Sequence, residues 1–248
     1  MATRTFTSAG INNLWSNPAN WDGGTTIPAD DDSVTIPSGQ TCEFDIDTSA
    51  WANGIAGITV TGVLSMSTTV STYLKMKAAT TITGTGTFNA GTSANPIPFA
   101  VKCTITGGTA WKIAGANTLT VNLYGAEPTN NLVNFSDSEA KGQTVLSVDT
   151  DVTGDIWAVG DTVLITTVNA ATYQTYTIAS IAASEITLTG GLTVAKALGN
   201  RMYLLSRNLQ VSSPVGGATN HRLFDAITLN AGSGYFSSPG GIVIYGGT

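Results

Sequence analysis

The residues most suited to metal binding are aspartates in one short polar stretch. The run Asp149–Gly154 (DTDVTG) has oxygen donors at its first, third and fifth positions and glycine at its sixth, like the first half of a helix-loop-helix calcium loop. Its twelfth position is Gly160 where such loops have Glu, so another carboxylate would have to complete the site. The sequence predicts either a structural calcium held by Asp149, Asp151 and Asp155 or a turn that these aspartates stabilise.

The other titratable residues do not form a recognisable catalytic set. A glycoside hydrolase needs two carboxylates facing one cleft, about 5 Å apart for retention and wider for inversion. Asp30–Asp32 precede a predicted strand, while Asp45 and Asp47 share one outward phase, which is typical of turns and strand edges. His221 is the only histidine, which excludes a site with several His ligands within one chain, and no Gly-x-Ser-x-Gly motif accompanies it. We therefore predict no enzymatic activity and no cofactor beyond the calcium considered above.

Two tyrosines are candidates for contact with a glycan. Tyr173 and Tyr176 lie in a polar stretch on either side of Gln174, and aromatic faces stack well on sugar rings. The alternative is that one of them packs at a strand edge. The five tryptophans are predicted to anchor the core and its N-terminal cap: Trp15, Trp21, Trp51, Trp111 and Trp157.

Short β-strands must carry all these side chains. Apolar residues alternate with small polar ones in several segments closed by turn residues, which is the pattern of half-buried strands. The clearest segments are Val34–Ile36, Ile58–Val60, Leu64–Met66, Leu74–Met76 and Leu119–Leu123. The hairpin dipeptides Asp-Gly and Asn-Gly occur only at Asp22–Gly23 and Asn53–Gly54, outside that series, which favours a parallel β-helix over a β-sandwich. The sequence shows no strict period.

The predicted organisation has four parts: a Trp-containing N-terminal cap (1–30), a β-helix lobe (31–123), a second β-rich segment continuing the solenoid (124–212), and a C-terminal loop with a docking strand at Ile242–Tyr245 (213–248). Cys42 and Cys103 alternate in phase with apolar neighbours, so both thiols are expected in the core, most simply as free cysteines.

Composition limits the partners of this chain. Charged residues make up 10% of it, against about 25% in average soluble domains, which favours burial of neutral surface against other subunits. The net charge of −6 argues against nucleic-acid binding. The N-terminal residues lack the apolar core of a secretion signal, and no apolar run approaches the length of a membrane span. We therefore expect synthesis in the cytoplasm and no membrane partner.

Several segments resemble a known family. They are Ile27–Gly39 (IPADDDSVTIPSG), Phe44–Asp47 (FDID) and Gly57–Leu64 (GITVTGVL), and the downstream run Trp157–Ile165 (WAVGDTVLI) with Ile186–Leu188 and Leu204–Leu209. The pattern resembles the eight-glycine all-β domain, and the segment that follows it, of fibrocystin-like receptors and cell-surface hyaluronidases, a domain also found widely in bacterial and phage proteins. The resemblance implies a right-handed parallel β-helix. Where the hyaluronidase-like chains carry a histidine, this sequence has Leu192–Gly199, so the resemblance does not extend to their activity.

The functional expectation is a non-enzymatic structural protein of a bacteriophage virion, in the form of a capsid decoration, head fibre or tail component. It would act through contacts between β-faces, with other virion proteins and with copies of itself as a trimer, and would present a surface for host attachment. The alternatives are a carbohydrate-binding module or degenerate glycan hydrolase that binds cell-surface polysaccharide, and an extracellular fragment of a bacterial surface adhesin.

Overall fold

The computed structural model describes the chain except for residues 99, 109–110, 127–128, 156, 167–172, 213–223, 232–234 and 238–248. The fold is all-β, as predicted. The described helical structure is a single 3-10 turn at Pro18–Asn20, and no described helix is long and apolar enough to cross a membrane. The chain divides into two compact units, residues 1–126 with 207–248 and residues 127–206.

The strands are named in chain order. The first ten are β1 (Thr3–Thr5), β2 (Ser33–Ile36), β3 (Thr41–Phe44), β4 (Gly57–Val60), β5 (Val63–Met66), β6 (Thr72–Met76), β7 (Thr81–Gly84), β8 (Thr87–Ala90), β9 (Cys103–Gly107) and β10 (Lys112–Leu123). They are followed by β11 (Leu132–Asn134), β12 (Val145–Ser147), β13 (Thr162–Thr166), β14 (Tyr173–Ala182), β15 (Glu185–Leu188), β16 (Arg201–Leu204), β17 (Leu209–Ser212), β18 (Phe224–Ala231) and β19 (Tyr235–Ser237).

In the first unit, all described strands pair in parallel. One sheet has the order β1-β2-β4-β7-β10-β8-β5-β3, with β18 also paired to β10, and a second sheet has the order β19-β17-β9-β6. The consecutive strands β4, β5 and β6 do not pair with each other. Each pairs instead with a strand further along the chain: β4 with β7, β5 with β8 and β6 with β9.

The register of the larger parallel sheet shows a spacing that the sequence reasoning missed. Val34, Ile58 and Ile82 are direct partners in β2, β4 and β7, and they follow one another at equal intervals along the chain. Val121, however, lies further along the chain from its partner Phe88, because the segment between β8 and β10 is longer. The interval is therefore constant across β2, β4 and β7 but differs between other paired strands, such as β1 with β2 and β3 with β5.

The core of the first unit is built from the inward phase of its strands. Cys42 and Cys103 are both buried and free, as predicted. Burial raises the pKa of Cys103 to about 12 and also raises the pKa of Cys42. Both groups are therefore protonated core side chains and are not candidate nucleophiles.

Aromatic residues of the N-terminal segment cover the edge strand β3. The backbone N–H of Trp15 donates to Glu43 O (2.7 Å). The Trp15 ring meets Trp21 edge-on at 4.7 Å and Phe44 at 4.9 Å, and Phe6 meets Trp21 at 5.2 Å. Trp15 and Trp21 are buried, which agrees with their predicted role as anchors. The aromatic cluster thus excludes water from this end of the core.

The second unit is an antiparallel sheet of order β11-β16-β13-β14-β15-β12. Its two outer strands also meet each other, because Phe135 bridges Val148 just beyond them and Ser136 N donates to Ser147 O at 3.1 Å. The six strands therefore form a closed ring of pairings, in which the two outer strands cover each other's edges. The ring encloses a separate hydrophobic core that includes Phe135, Ile165, Ile178 and Met202.

This arrangement differs from the predicted continuation of the solenoid through residues 124–212. The described strands between residues 127 and 206 pair with one another and are antiparallel, and β17 is the strand that rejoins the parallel sheets. Alternation of apolar and polar residues is the same in both kinds of sheet, so the pattern could locate strands without showing their partners.

Candidate functional site

Asp149 lies at the seam of the ring, where β11 and β12 meet. Its Oδ1 accepts the backbone N–H of Asn134 at 3.0 Å, and its Oδ2 accepts the Asn134 side-chain amide at 2.7 Å. The hydroxyl of Thr150 adds a third bond, at 3.0 Å. Partial burial raises the pKa of Asp149, but these donors outweigh it and hold the pKa below its usual value. The carboxylate is thus engaged in closing the seam.

The other two predicted calcium ligands hold different turns. Asp151 accepts the backbone N–H and the hydroxyl of Thr153, at 2.9 and 2.7 Å, and these bonds lower its pKa. Asp155 accepts the N–H groups of Thr129 (3.2 Å) and Asn130 (2.6 Å). Across the described residues, no group of three or more His, Cys, Asp or Glu could hold a metal ion. The structure does not bring the three aspartates together, and each stabilises a turn or seam.

Tyr173 and Tyr176 lie on opposite faces of β14. They are separated by an odd number of positions in a strand, and they stand opposite Thr166 and Val163 of β13 respectively. Tyr173 is 68% exposed. Tyr176 packs against the core of the second unit, where its hydroxyl donates to Gln174 Oε1 at 2.7 Å. The two rings therefore cannot form one platform, and of the pair only Tyr173 presents its ring to solvent.

The sequence reasoning did not predict that Lys196, beside Tyr176, is buried. Lys196 is 2% exposed, and its Nζ has no hydrogen-bond partner among the described residues. Burial lowers the pKa of Lys196, an effect partly opposed by Tyr176. Glu139 pairs with Lys196 through the backbone, but its Oε1 accepts the N–H of Ser147 at 2.7 Å. The only clue in the sequence is that the neighbours of Lys196 in the loop Leu192–Gly199 are mostly apolar, which is compatible with burial of the lysine.

The aspartates of the first unit also hold turns. Asp30 Oδ1 accepts the N–H of Gly54 at 2.6 Å, which ties the approach to β2 to the approach to β4. Asp32 accepts the N–H groups of Ala2 (2.6 Å) and Ala29 (3.1 Å). Burial raises the pKa of each of these carboxyls. The bonded N–H groups lower it by more than burial raises it, so both pKa values lie below the usual value.

Asp45 and Asp47 are likewise engaged locally. Asp45 accepts both the backbone N–H of Ser16, at 2.8 Å, and its hydroxyl, at 2.5 Å, while Asp47 accepts the N–H of Ser49 at 2.7 Å. The hydrogen bonds of Asp45 fasten the N-terminal segment to the chain just after β3. Their role is structural.

A groove of about 390 Å³ lies on the outer side of β1, β2, β4 and β7. Its lining includes the small residues Ala56, Gly57 and Ala79. Hydroxyl side chains line much of the rest: Thr3, Ser33, Thr35, Thr59, Thr81 and Thr83. The sequence reasoning missed this groove, although Thr35, Thr59 and Thr83 recur at equal intervals along the chain and are direct partners across the strands.

Some predicted features lie outside the described residues. They are His221 and the docking strand Ile242–Tyr245.

Glycines stack at one corner of the first unit. A Cβ on Gly62 would lie 2.2 Å from Pro37 O, and one on Gly86 would lie 2.1 Å from Gly62 O, so neither corner can hold a side chain. Such corners are expected of a domain named for its glycines. Residues 20–132 match the sequence model of the G8 domain. The resemblance to the eight-glycine domain is thereby confirmed for this G8 segment.

The G8 segment covers just under half of the chain and includes β2 to β10. All the groove residues named above except Thr3 belong to it. No curated protein and no solved structure matched the chain.

Proposed function

We propose that this chain is a non-enzymatic structural protein of a bacteriophage particle and that it assembles through an outer β-face of its first unit. We further propose that the first unit is a right-handed parallel β-helix. Parallel ladders between successive coils and the equal spacing of the partners in β2, β4 and β7 support that architecture. The rigid backbone of such a stack is suited to bearing mechanical load or to holding other proteins at a fixed distance.

The observation that carries the assembly proposal is a neutral surface, which we call the assembly face. It consists of the aligned outward side chains of β5, β8 and β10: Val63 and Ser65, Thr87 and Asn89, Thr120 and Asn122. All six are partly exposed, and none is charged. Desolvating such a surface costs less than desolvating charges, which favours association.

Hydrogen bonds along one row hold the assembly face in place. The Asn122 side-chain amide donates to Asn89 Oδ1 at 2.7 Å, and the Asn89 amide donates to Ser65 Oγ at 3.3 Å. Side chains already fixed in this way lose little conformational entropy when a partner binds. The face is therefore organised for contact before any partner arrives.

The proposed partners are copies of this chain, as a trimer, and other virion proteins. The occurrence of the eight-glycine domain in phage proteins and the low charge of the chain support this setting. The net charge of −6 also favours a position on the particle away from packaged nucleic acid.

The test is the molar mass of the purified chain by light scattering. We expect a trimer or larger assembly for the wild type and a monomer for Thr87→Lys, which places a charge in the assembly face. The matched control is Thr104→Lys, at an outward position of β9 in the other sheet, which should remain assembled. A monomeric wild type at all concentrations, or equal loss of assembly in both variants, would count against the proposal.

The second candidate is a carbohydrate-binding module or degenerate glycan hydrolase, or a fragment of a bacterial surface adhesin. The exposed ring of Tyr173 and the hydroxyl-lined groove favour it. It predicts that a soluble polysaccharide raises the melting temperature of a chain that stays monomeric, because a ligand bound only to the folded state stabilises that state. If no glycan, neutral or acidic, raises the melting temperature, this candidate is excluded.

A further inference from the structure

We propose that the groove on β1, β2, β4 and β7 binds a neutral polysaccharide chain, and that this groove supplies the host-attachment surface of the proposed particle protein. Only the role in host attachment rests on the proposed function. The binding itself follows from the chemistry of the groove.

The charge of the groove selects the class of ligand. No charged side chain is among the described residues that line it. A phosphate, carboxylate or sulfate group that entered the groove would lose bound water without gaining a cation as partner, which is unfavourable. What the groove offers is a set of hydroxyls, each of which both donates and accepts a hydrogen bond. Ligands rich in neutral hydroxyl groups are the chemical complement of this surface.

The backbone of the groove argues against an extended peptide as the ligand. Strand addition requires unpaired N–H and C=O groups at a sheet edge. The groove lies on the face of a sheet, where β2 is paired with β1 and β4, and β4 with β2 and β7. β1 is the edge strand of the sheet, but its Thr5 O already accepts the N–H of Asp22 at 2.9 Å. Recognition must therefore use side-chain hydroxyls and small apolar contacts, which suits a sugar better than a polypeptide backbone.

The shape of the groove fits a linear chain. Neighbouring strands lie about 4.8 Å apart, so β1 to β7 span about 14 Å across the sheet. Thr35, Thr59 and Thr83 repeat along that direction in register, and the small residues Ala56 and Gly57 also line the groove. A row of identical hydroxyls at a constant interval suits a ligand that is itself a repeat, so we assign the groove to a polysaccharide segment instead of a monosaccharide.

The experiment is isothermal titration calorimetry of the full chain with maltohexaose, cellohexaose and laminarihexaose as neutral probes, and with a hyaluronan hexasaccharide as the anionic comparison. Thr59→Tyr fills the groove from an exposed strand position. Thr104→Tyr is the matched control, because Thr104 points outward from β9, whose neighbours β6 and β17 do not line the groove. Thr59→Lys is the second groove variant, and unchanged melting temperatures establish that the variants are folded.

We expect at least one neutral hexasaccharide to bind the wild type, with affinity at least tenfold lower in both Thr59 variants and unchanged in Thr104→Tyr. The proposal is overturned if no neutral probe binds, if the Thr59 variants bind as the wild type does, or if hyaluronan binds equally well at the groove. Light scattering on the same samples separates the two proposals. An assembled chain that binds no neutral glycan contradicts only the groove, and a monomer that binds one contradicts only the assembly.

Discussion

Asp149 and Asn134 join the first and last strands of the second unit's sheet through two hydrogen bonds, of 3.0 and 2.7 Å, from one amide residue to one carboxylate. Asp149→Ala removes both acceptors at the seam. We expect a loss of about 1 kcal/mol in the free energy of unfolding. This is less than hydrogen bonds to a charged group usually contribute, because the site is exposed to solvent. Urea denaturation followed by circular dichroism measures it. Asp151→Ala, which affects only its own turn, should cost less, and equal losses would contradict the seam role.

The lowered pKa of Asp149 also makes stability depend on pH. Its contribution is fully present above the unfolded-state value near 3.8 and is lost as the pH falls through the lower folded-state value. Between pH 5 and pH 2 we expect the free energy of unfolding to fall less steeply in Asp149→Ala than in the wild type. Identical slopes in the two proteins would show that the seam carboxylate is not stabilised when folded.

Lys196 should destabilise the folded state because its ammonium is buried with no partner among the described residues. Lys196→Met keeps much of the length of the side chain and removes the charge. We expect a gain of about 1–3 kcal/mol in the free energy of unfolding near pH 7. The control is Lys141→Met at an exposed position, which should change little. Destabilisation by Lys196→Met would indicate that the ammonium has a favourable partner.

The same lysine predicts a distinct pH dependence at alkaline pH. Its folded-state pKa lies below 10.5, so between the two values the unfolded chain binds more protons. This group therefore makes the free energy of unfolding rise with pH across that interval. We expect the stability gain of Lys196→Met over the wild type to shrink as the pH approaches 10.5, and a constant gain would contradict the assignment.

Calcium should have no effect on this chain. Asp149, Asp151 and Asp155 each accept hydrogen bonds in separate turns, so a cation would have to break those bonds to bind. We expect the same melting temperature with a chelator and with millimolar calcium. A saturable rise on addition of calcium, abolished by Asp149→Ala, would restore the metal site that the sequence pattern suggested.

The edge-on contacts of Trp21 with Phe6 and Trp15 should be a main source of stability for the first unit. Trp21→Ala leaves a cavity at a buried position, and we expect a loss of about 3–5 kcal/mol. Tryptophan fluorescence during urea denaturation reports the change. Trp51→Ala is the comparison, since Trp51 is only partly buried, and it should cost less.

Local patterns were enough for much of the fold. Alternation placed strands at Val34–Ile36 and Ile58–Val60, and phase put Cys42 and Cys103 in the core, because each of these properties depends on a few adjacent residues. The calcium interpretation relied on spacing alone. Spacing does not show whether backbone N–H groups already occupy the carboxylates, as they do at Asp149.

The amino-acid sequence alone determined that this chain is all-β, that its tryptophans anchor packed regions and that residues 20–132 resemble the eight-glycine domain, since alternation, side-chain size and glycine corners are local properties. The tertiary structure decided which strands pair. It separated Tyr173 from Tyr176, buried the Lys196 ammonium and aligned Thr35, Thr59 and Thr83 into one groove. These outcomes depend on register between distant segments, and a strand's own residues carry no record of its partner.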